Sequence, residues 1–208
     1  MAAFLLGVID YGMGNTGSIL NMIRFVGGEV ALISEADELK ECKGIVLPGV
    51  GAFDKAVQKL QSGGFIEALG QARIQGLPIL GICLGMQLMT RHSEEGDSAG
   101  LGWFAADTVR FPAGSLRVPH VGWNQAHFCS GNPLSKDMDG ARFYFLHSFF
   151  VQCDESDSKE ILCRSDYGRE FVSGLQCGRV WGVQFHPEKS HKFGKLLFRN
   201  FLEQSRLA

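Results

Sequence analysis

Two short segments of this 208-residue chain carry residue types whose spacing can do chemistry. In Leu77-Pro-Ile-Leu-Gly-Ile-Cys-Leu-Gly-Met-Gln87, Cys83 has a glycine two residues before it and another two after. This is the cysteine counterpart of a Gly-x-Ser-x-Gly elbow, where the nucleophile stands on a sharp, strained strand-to-helix turn. A Cβ at Gly81 or Gly85 is expected to collide with neighbouring backbone in such a turn. A helix N-terminus beneath Cys83 favours a thiolate and offers N–H groups to an oxyanion, that of Leu84 among them. The plain alternative is a buried core cysteine, which is what most free cysteines are.

A thiol nucleophile needs a base. In Val180-Trp-Gly-Val-Gln-Phe-His-Pro-Glu188 an apolar strand delivers His186, and Pro187 then stops the ladder, so His186 is expected to project into a cleft. Residues two apart share a face in extended backbone, so Glu188 can reach the imidazole, fix its tautomer and stabilise its charged form. His-Pro-Glu alone fits a surface turn with an incidental ion pair equally well. Both segments in one chain, each at a strand end, favour a Cys83–His186–Glu188 triad. Among the other histidines, His92 and His191 are expected at solvated helix ends and His127 in an ordinary strand.

The elements that must position these groups read as α/β. Phe4–Asp10, Glu29–Ile33, Gly44–Leu47 and Pro78–Ile82 are strands, while Thr16–Val26, Phe53–Gln61, Phe65–Gln75 and Leu84–Arg91 are helices. Continuously apolar strands alternating with helices predict a central, mostly parallel sheet covered on both faces. Short strands then follow at Thr108–Phe111, Gly122–His127, Ala141–Phe145, Glu160–Arg164, Glu170–Cys177 and Val180–Phe185, before a closing helix at His191–Gln204. The expectation is one domain over residues 1–208, with an antiparallel insertion before the sheet is completed.

Composition narrows the classes. Twenty basic against 22 acidic residues give a net charge of −2, so no nucleic-acid surface is expected. The N-terminal apolar run lacks a basic region and is too short to span a bilayer, which favours a cytoplasmic protein with no membrane partner. The six cysteines form no C-x-x-C pair, so neither a disulfide framework nor a metal site is indicated. No Walker-type loop occurs, and no cofactor is expected.

Gly81–Gln87 and Gly182–Glu188 resemble the two signatures of class I, triad-type glutamine amidotransferases. The resemblance implies a flavodoxin-like fold and L-glutamine as substrate. Cys83 would attack the side-chain amide, and His186, oriented by Glu188, would take the thiol proton and pass it to the leaving ammonia. The thioester would then be hydrolysed to glutamate. Leu47–Phe53, Val118–Asn124, Phe143–Ser148 and Lys189-Ser190 are similar to the glutaminase subunits of imidazole glycerol phosphate synthases, in histidine biosynthesis, and this likeness runs nearly end to end. It implies a heterodimer with a (βα)8-barrel cyclase subunit, which receives ammonia through a tunnel and makes imidazole glycerol phosphate and AICAR.

Further roles come with that resemblance. Pro48-Gly-Val-Gly51 would be the second oxyanion element, involving Gly49, Val50 and Gly51. Its glycines permit a peptide flip, so activity is expected to wait on the partner. Gln87 and Ser148 would hold glutamine. Asn15, His120, Trp123, Asn124, Tyr144, His147 and Lys189 would lie near the partner-facing mouth, with core packing as the alternative for Trp123 and Tyr144. Phe149 departs from the Tyr expected after His-Ser. Gly100–Phe104 and Thr108–Phe111 are also similar to a paralogous branch that supplies ammonia for amidation of a surface-polysaccharide sugar.

Two other classes compete. Gly12-Met-Gly-Asn-Thr-Gly17 is a formal G-x-G-x-x-G between a strand and a helix, the context of a dinucleotide fingerprint, yet no acidic residue ends the second strand to meet a ribose. A glycine-rich turn for close backbone approach is the better reading. A thiol peptidase or γ-glutamyl hydrolase would use the same triad without a partner.

Overall fold

The computed structural model describes residues 5–207, apart from 113, 115 and 154–159. Phe4, the expected start of the first strand, lies outside the described residues. The elements run β1 (Leu5–Ile9), α1 (Thr16–Phe25), β2 (Glu29–Ile33), β3 (Gly44–Leu47), α2 (Phe53–Ser62), α3 (Phe65–Ile74), β4 (Ile79–Ile82) and α4 (Leu84–Gln87). They continue as β5 (Ala106–Arg110), β6 (His120–Gln125), β7 (His127–Phe128), β8 (Arg142–His147), β9 (Phe149–Cys153), β10 (Ile161–Asp166), β11 (Glu170–Cys177), β12 (Val180–Val183) and α5 (His191–Arg206).

The main sheet has the order β2-β1-β3-β4-β12-β11-β10-β7. Its β2-β1-β3-β4-β12 part is parallel, and the remainder antiparallel, with β9 and β5 attached through β11. The antiparallel insertion is therefore where the sequence placed it, between β4 and the strand that returns beside β4. β3, β4 and β12 are buried at every position, as central strands covered on both faces must be.

Side-chain alternation sorts the core into two layers. Ile45, Leu47 and Ile79 point towards Phe53, Ala56 and Leu60 of α2 and Phe65 and Leu69 of α3. Val46, Leu80 and Ile82 point the other way, onto Ile19 and Ile23 of α1 and Leu197, Phe198, Phe201 and Leu202 of α5. Truncating one of these large residues, such as Phe201→Ala, is expected to cost about 3–5 kcal/mol. That layering holds the C-terminal ends of β4 and β12 rigidly side by side.

Three details differ from the sequence reading. The helix after Cys83 is one turn, not Leu84–Arg91, because later carbonyls are used elsewhere. The carbonyls of Leu88, Met89 and Thr90 accept from Leu101, Trp103 and Gly102 at 2.8–3.1 Å. A strand at Phe149–Cys153 was not anticipated. The predicted Gly122–His127 strand is two strands, β6 in a separate two-stranded sheet with β8, and β7 on the edge of the main sheet.

Candidate active site

Parallel pairing of β4 with β12 sets Gly81 beside Gly182 and Ile82 beside Val183. The chain then leaves both strands at the same end, Cys83 from one and the His186 segment from the other. Cys83 has φ 55° and ψ −113°, a left-handed conformation that a side chain rarely tolerates. The flanking glycines are required by contact: a Cβ on Gly81 would lie 2.7 Å from the Gly85 carbonyl oxygen, and one on Gly85 would overlap the carbonyl oxygen of Leu47. Leu84 and Gly85 occupy the first helical positions, whose N–H groups have no intrahelical acceptor. A one-turn helix carries little macrodipole, so local N–H groups rather than a long dipole define the site's electrostatics.

His186 follows β12 and is buried, as is Glu188. Its Nδ1 meets Glu188 Oε1 at 2.9 Å. The backbone between them is a short 3-10 turn, Pro187–Lys189, and not the extended chain the sequence suggested. The contact is the expected one, reached through a turn. His186 Nε2 makes no hydrogen bond among the described residues, so its contact with Cys83 is looser than an aligned hydrogen bond. Burial opposes charge on the ring, but the Cys83 sulfur and the Glu188 carboxylate outweigh it and raise His186 to about 10.

Cys83 and His186 face a cavity of about 270 Å³, lined also by Val50, Gly51, Leu84, Gln87, Leu146, His147, Ser148 and Phe149. The expected substrate residues Gln87 and Ser148 are thus at the wall. Gly49 sits beneath the elbow, where a Cβ would be 2.7 Å from the Gly85 nitrogen. Gly51 has φ 106°, a conformation suited to glycine. A larger groove of about 560 Å³ between α3 and the Ala36–Glu41 turn brings together Asp37, Lys40, Glu67 and Gln71, with no nucleophile–base pair.

Three residues near Cys83 and His186 were missed. Gln184 Nε2 lies 3.7 Å from Cys83 Sγ, and its Oε1 accepts from Gln87 Nε2 at 3.1 Å. Its position two before His186 was the available signal, since residues two apart in extended backbone share a side. Tyr11 donates its hydroxyl to the Pro48 carbonyl at 2.8 Å; burial, then the neighbouring Cys83, push its phenol well above the usual range. Glu95 lines the cavity mouth and accepts the Phe53 N–H at 3.1 Å, from a charged loop with no distinguishing pattern.

The residues expected near the mouth separate into two groups. Trp123, Tyr144 and Lys189 cluster: Lys189 Nζ is 5.6 Å from the Tyr144 ring centre and Trp123 meets it edge-on at 6.4 Å. Val121, Trp123 and Leu146 of the same hairpin are 53%, 44% and 40% exposed, an apolar face beside the cavity. His120 and His147 are buried beneath that surface, His147 also lining the cavity, with Asn124 bonded to His120. Asn15 precedes α1, next to Gly14, which packs on Pro48. The glycine-rich turn therefore serves close backbone approach. All six cysteines are free thiols, no group of His, Cys, Asp or Glu among the described residues could hold a metal, and no described helix is long and apolar enough to cross a membrane.

The chain matches the glutamine amidotransferase class-I family over residues 7–204. It is 44% identical to imidazole glycerol phosphate synthase subunit HisH 2 of Methanococcus maripaludis over 204 residues, 97% of this chain and all of the relative. To HisH 2 of Pseudomonas aeruginosa it is 43% identical, covering 96% and 99%. PurLQS from Thermotoga maritima superposes with TM-score 0.77 at 19% identity, over 97% of this chain and 99% of that one, a likeness of fold. The chain belongs to the class-I glutamine amidotransferases and, within them, to the family of the HisH subunits of imidazole glycerol phosphate synthase.

Proposed function

We propose that this chain is the glutaminase half of imidazole glycerol phosphate synthase, with Cys83, His186 and Glu188 as its catalytic residues. The observation that carries the reading is the strained Cys83 facing a buried, carboxylate-paired His186. Membership of the HisH family supplies glutamine as the substrate and histidine biosynthesis as the setting.

In this reading the Cys83 thiolate attacks the side-chain carbonyl carbon of glutamine, forming a C–S bond as the carbonyl π pair moves onto oxygen. That oxyanion is met by the Leu84 N–H and by an N–H of the Gly49–Gly51 turn. His186, which holds the thiol proton as an imidazolium, returns it to the nitrogen, and ammonia leaves as the C–N bond breaks. Water, deprotonated by His186, then cleaves the thioester to glutamate and regenerates the thiol. Glu95 at the mouth offers a carboxylate to the substrate's ammonium group, and Gln87 and Ser148 line the same wall. The apolar hairpin face around Trp123 is the surface for a (βα)8-barrel cyclase, and ammonia would leave towards it past Tyr144 and Lys189. A turn of the Gly49–Gly51 peptides on docking would complete the oxyanion site, making glutaminase turnover depend on the partner.

The test is glutamate release by the purified pair. Wild type is expected to turn over and to take a covalent glutamine-analogue label on Cys83, with turnover rising at least tenfold on adding the cyclase. A Cys83→Ala chain that still releases glutamate, or a label carried elsewhere, would overturn the assignment. Complementation of a strain lacking the histidine-pathway subunit tests the destination of the ammonia. The likeness of Gly100–Phe104 and Thr108–Phe111 supports a second reading, a paralogue feeding the amidation of a surface-polysaccharide sugar. Intact glutaminase without complementation would favour it.

A further inference from the structure

A run of polar groups, with His147 on the cavity wall and His120 buried behind it, has no step in the reaction above. His120 Nδ1 and His147 Nε2 are 3.0 Å apart, and His147 Nδ1 is 2.7 Å from the carbonyl oxygen of Phe149. Asn124 Nδ2 lies 3.4 Å from His120 Nε2 and 2.6 Å from the carbonyl oxygen of Asp166. A carbonyl oxygen only accepts, so His147 carries its hydrogen on Nδ1 and its Nε2 is a bare acceptor. His120 must then donate from Nδ1, which leaves its own Nε2 to accept from Asn124. The Asn124 amide is oriented independently, because its Oδ1 accepts the Gln125 N–H at 2.8 Å. With both rings neutral, every group in the run is satisfied.

The rings are packed to stay neutral. His120 stacks between Tyr167 and Phe145, with centroids at 4.0 and 4.8 Å, and His147 lies 5.4 Å from both Phe111 and Phe171. Burial lowers His120 to about 4. Burial likewise lowers His147 to about 3, against the pull of the Phe149 carbonyl and helped by His120 and His186.

The far end of the run reaches the nucleophile. Gln87 Nε2 gives one hydrogen to the same Phe149 oxygen at 3.2 Å and the other to Gln184 Oε1. Gln184 is thereby turned so that its own Nε2 faces Cys83 Sγ. A donor at sulfur favours the thiolate over the thiol.

We infer that His147 is a positioning residue for the nucleophile. With its tautomer set by the His120 hydrogen bond, it pins the Phe149 carbonyl, which with Gln87 sets the Gln184 amide that donates to Cys83. The inference rests on Cys83 being the glutaminase nucleophile. Its competitor is aromatic packing alone, with the hydrogen bonds incidental.

Three substitutions at one position separate these. An Asn side chain places its amide near Nδ1 and keeps the donor to Phe149; Gln places it near Nε2 and keeps only the partner for His120; Phe keeps packing alone. The readouts are the peptide-resolved rate of Cys83 alkylation against pH in the full-length chain, and kcat and KM for glutamine in the complex with its barrel subunit. For His147→Gln and His147→Phe, alkylation at pH 7 and kcat are expected to fall about tenfold, with the alkylation midpoint moved up in pH and KM within about twofold. His147→Asn is expected to stay within about threefold of wild type. A wild-type midpoint in all three, or His147→Asn falling as far as His147→Gln, would overturn the inference. Should His147→Phe not fold, the Asn–Gln pair decides it. Glutamate release by Cys83→Ala would defeat the glutaminase reading instead, while the alkylation profile still judges His147.

Discussion

The main-chain carbonyl of Tyr144 accepts the N–H of His186 at 2.8 Å. On the other side of the same residue, the Tyr144 N–H reaches Ser190 Oγ at 3.0 Å, and that hydroxyl donates to the His186 carbonyl at 2.5 Å. Strand β8 is thus bonded to the turn that carries the base, while its Leu146 carbonyl lies 3.9 Å from Cys83 Sγ. The outward face of this strand and its neighbour β6 is the apolar patch of Val121, Trp123 and Leu146. Whatever docks there presses on a strand that touches both the base and the nucleophile.

Val121→Asp places a charge in that patch without touching the cavity. The expected result is a Tm within about 2 °C of wild type and a Kd for the cyclase raised at least roughly tenfold. Titration calorimetry of the two purified subunits measures it, and an unchanged Kd would move the partner surface elsewhere.

Glu188→Gln keeps the shape of the buried pair and removes its charge. Turnover is expected to fall about a hundredfold. The pair also has a pH signature. His186 is raised to about 10 in the fold, so the stability its charge contributes is complete below its ordinary value near 6.5 and is lost as pH rises through about 10. The Tm gap between wild type and variant is therefore widest near pH 6 and narrows by pH 10, as calorimetry at several pH values can follow.

His147 behaves in the opposite sense. Its folded value of about 3 lies below 6.5, so the folded state resists a proton that the unfolded chain accepts, and stability falls as pH drops from about 6.5 towards 3. By pH 4 the loss is on the order of 3 kcal/mol. Urea unfolding at pH 7 and pH 4 is expected to show a smaller difference for His147→Phe than for wild type.

The elbow is the place where one methyl group does most harm. Gly85→Ala drives a Cβ into the Leu47 carbonyl, and backbone on both sides must move. A loss of at least about 3 kcal/mol is expected in urea melts, with turnover abolished. Gly49→Ala meets the same elbow from beneath and is expected to act in the same direction.

The parallel half of the sheet was legible because its strands are short and apolar and most are separated by amphipathic helices such as α1 and α2; the α2 limits differ by one residue from those read in the sequence. The antiparallel half was harder for a definite reason. In Arg142–Cys153 two strands follow one another with only Ser148 between them, in a continuous aromatic run without Gly or Pro. The chain changes sheets there, β8 pairing with β6 and β9 with β5 and β11, and local pattern carries no mark of that switch. The cluster of Cys83, His186 and Glu188 was readable since it lies in two short segments. Gln184 and His147 were not singled out for this role, because hydrogen bonds between distant segments define them.

The pairing of β4 with β12 also sets an order of events. Cys83 and Gln184 are 101 positions apart, and the strand that brings Gln184 and His186 alongside is the last among the described residues. During synthesis the thiol emerges from the ribosome long before its base, and the slot between β4 and β11 fills only when nearly the whole polypeptide exists. A chain cut before β12 carries Cys83 without Gln184, His186 or Glu188 beside it.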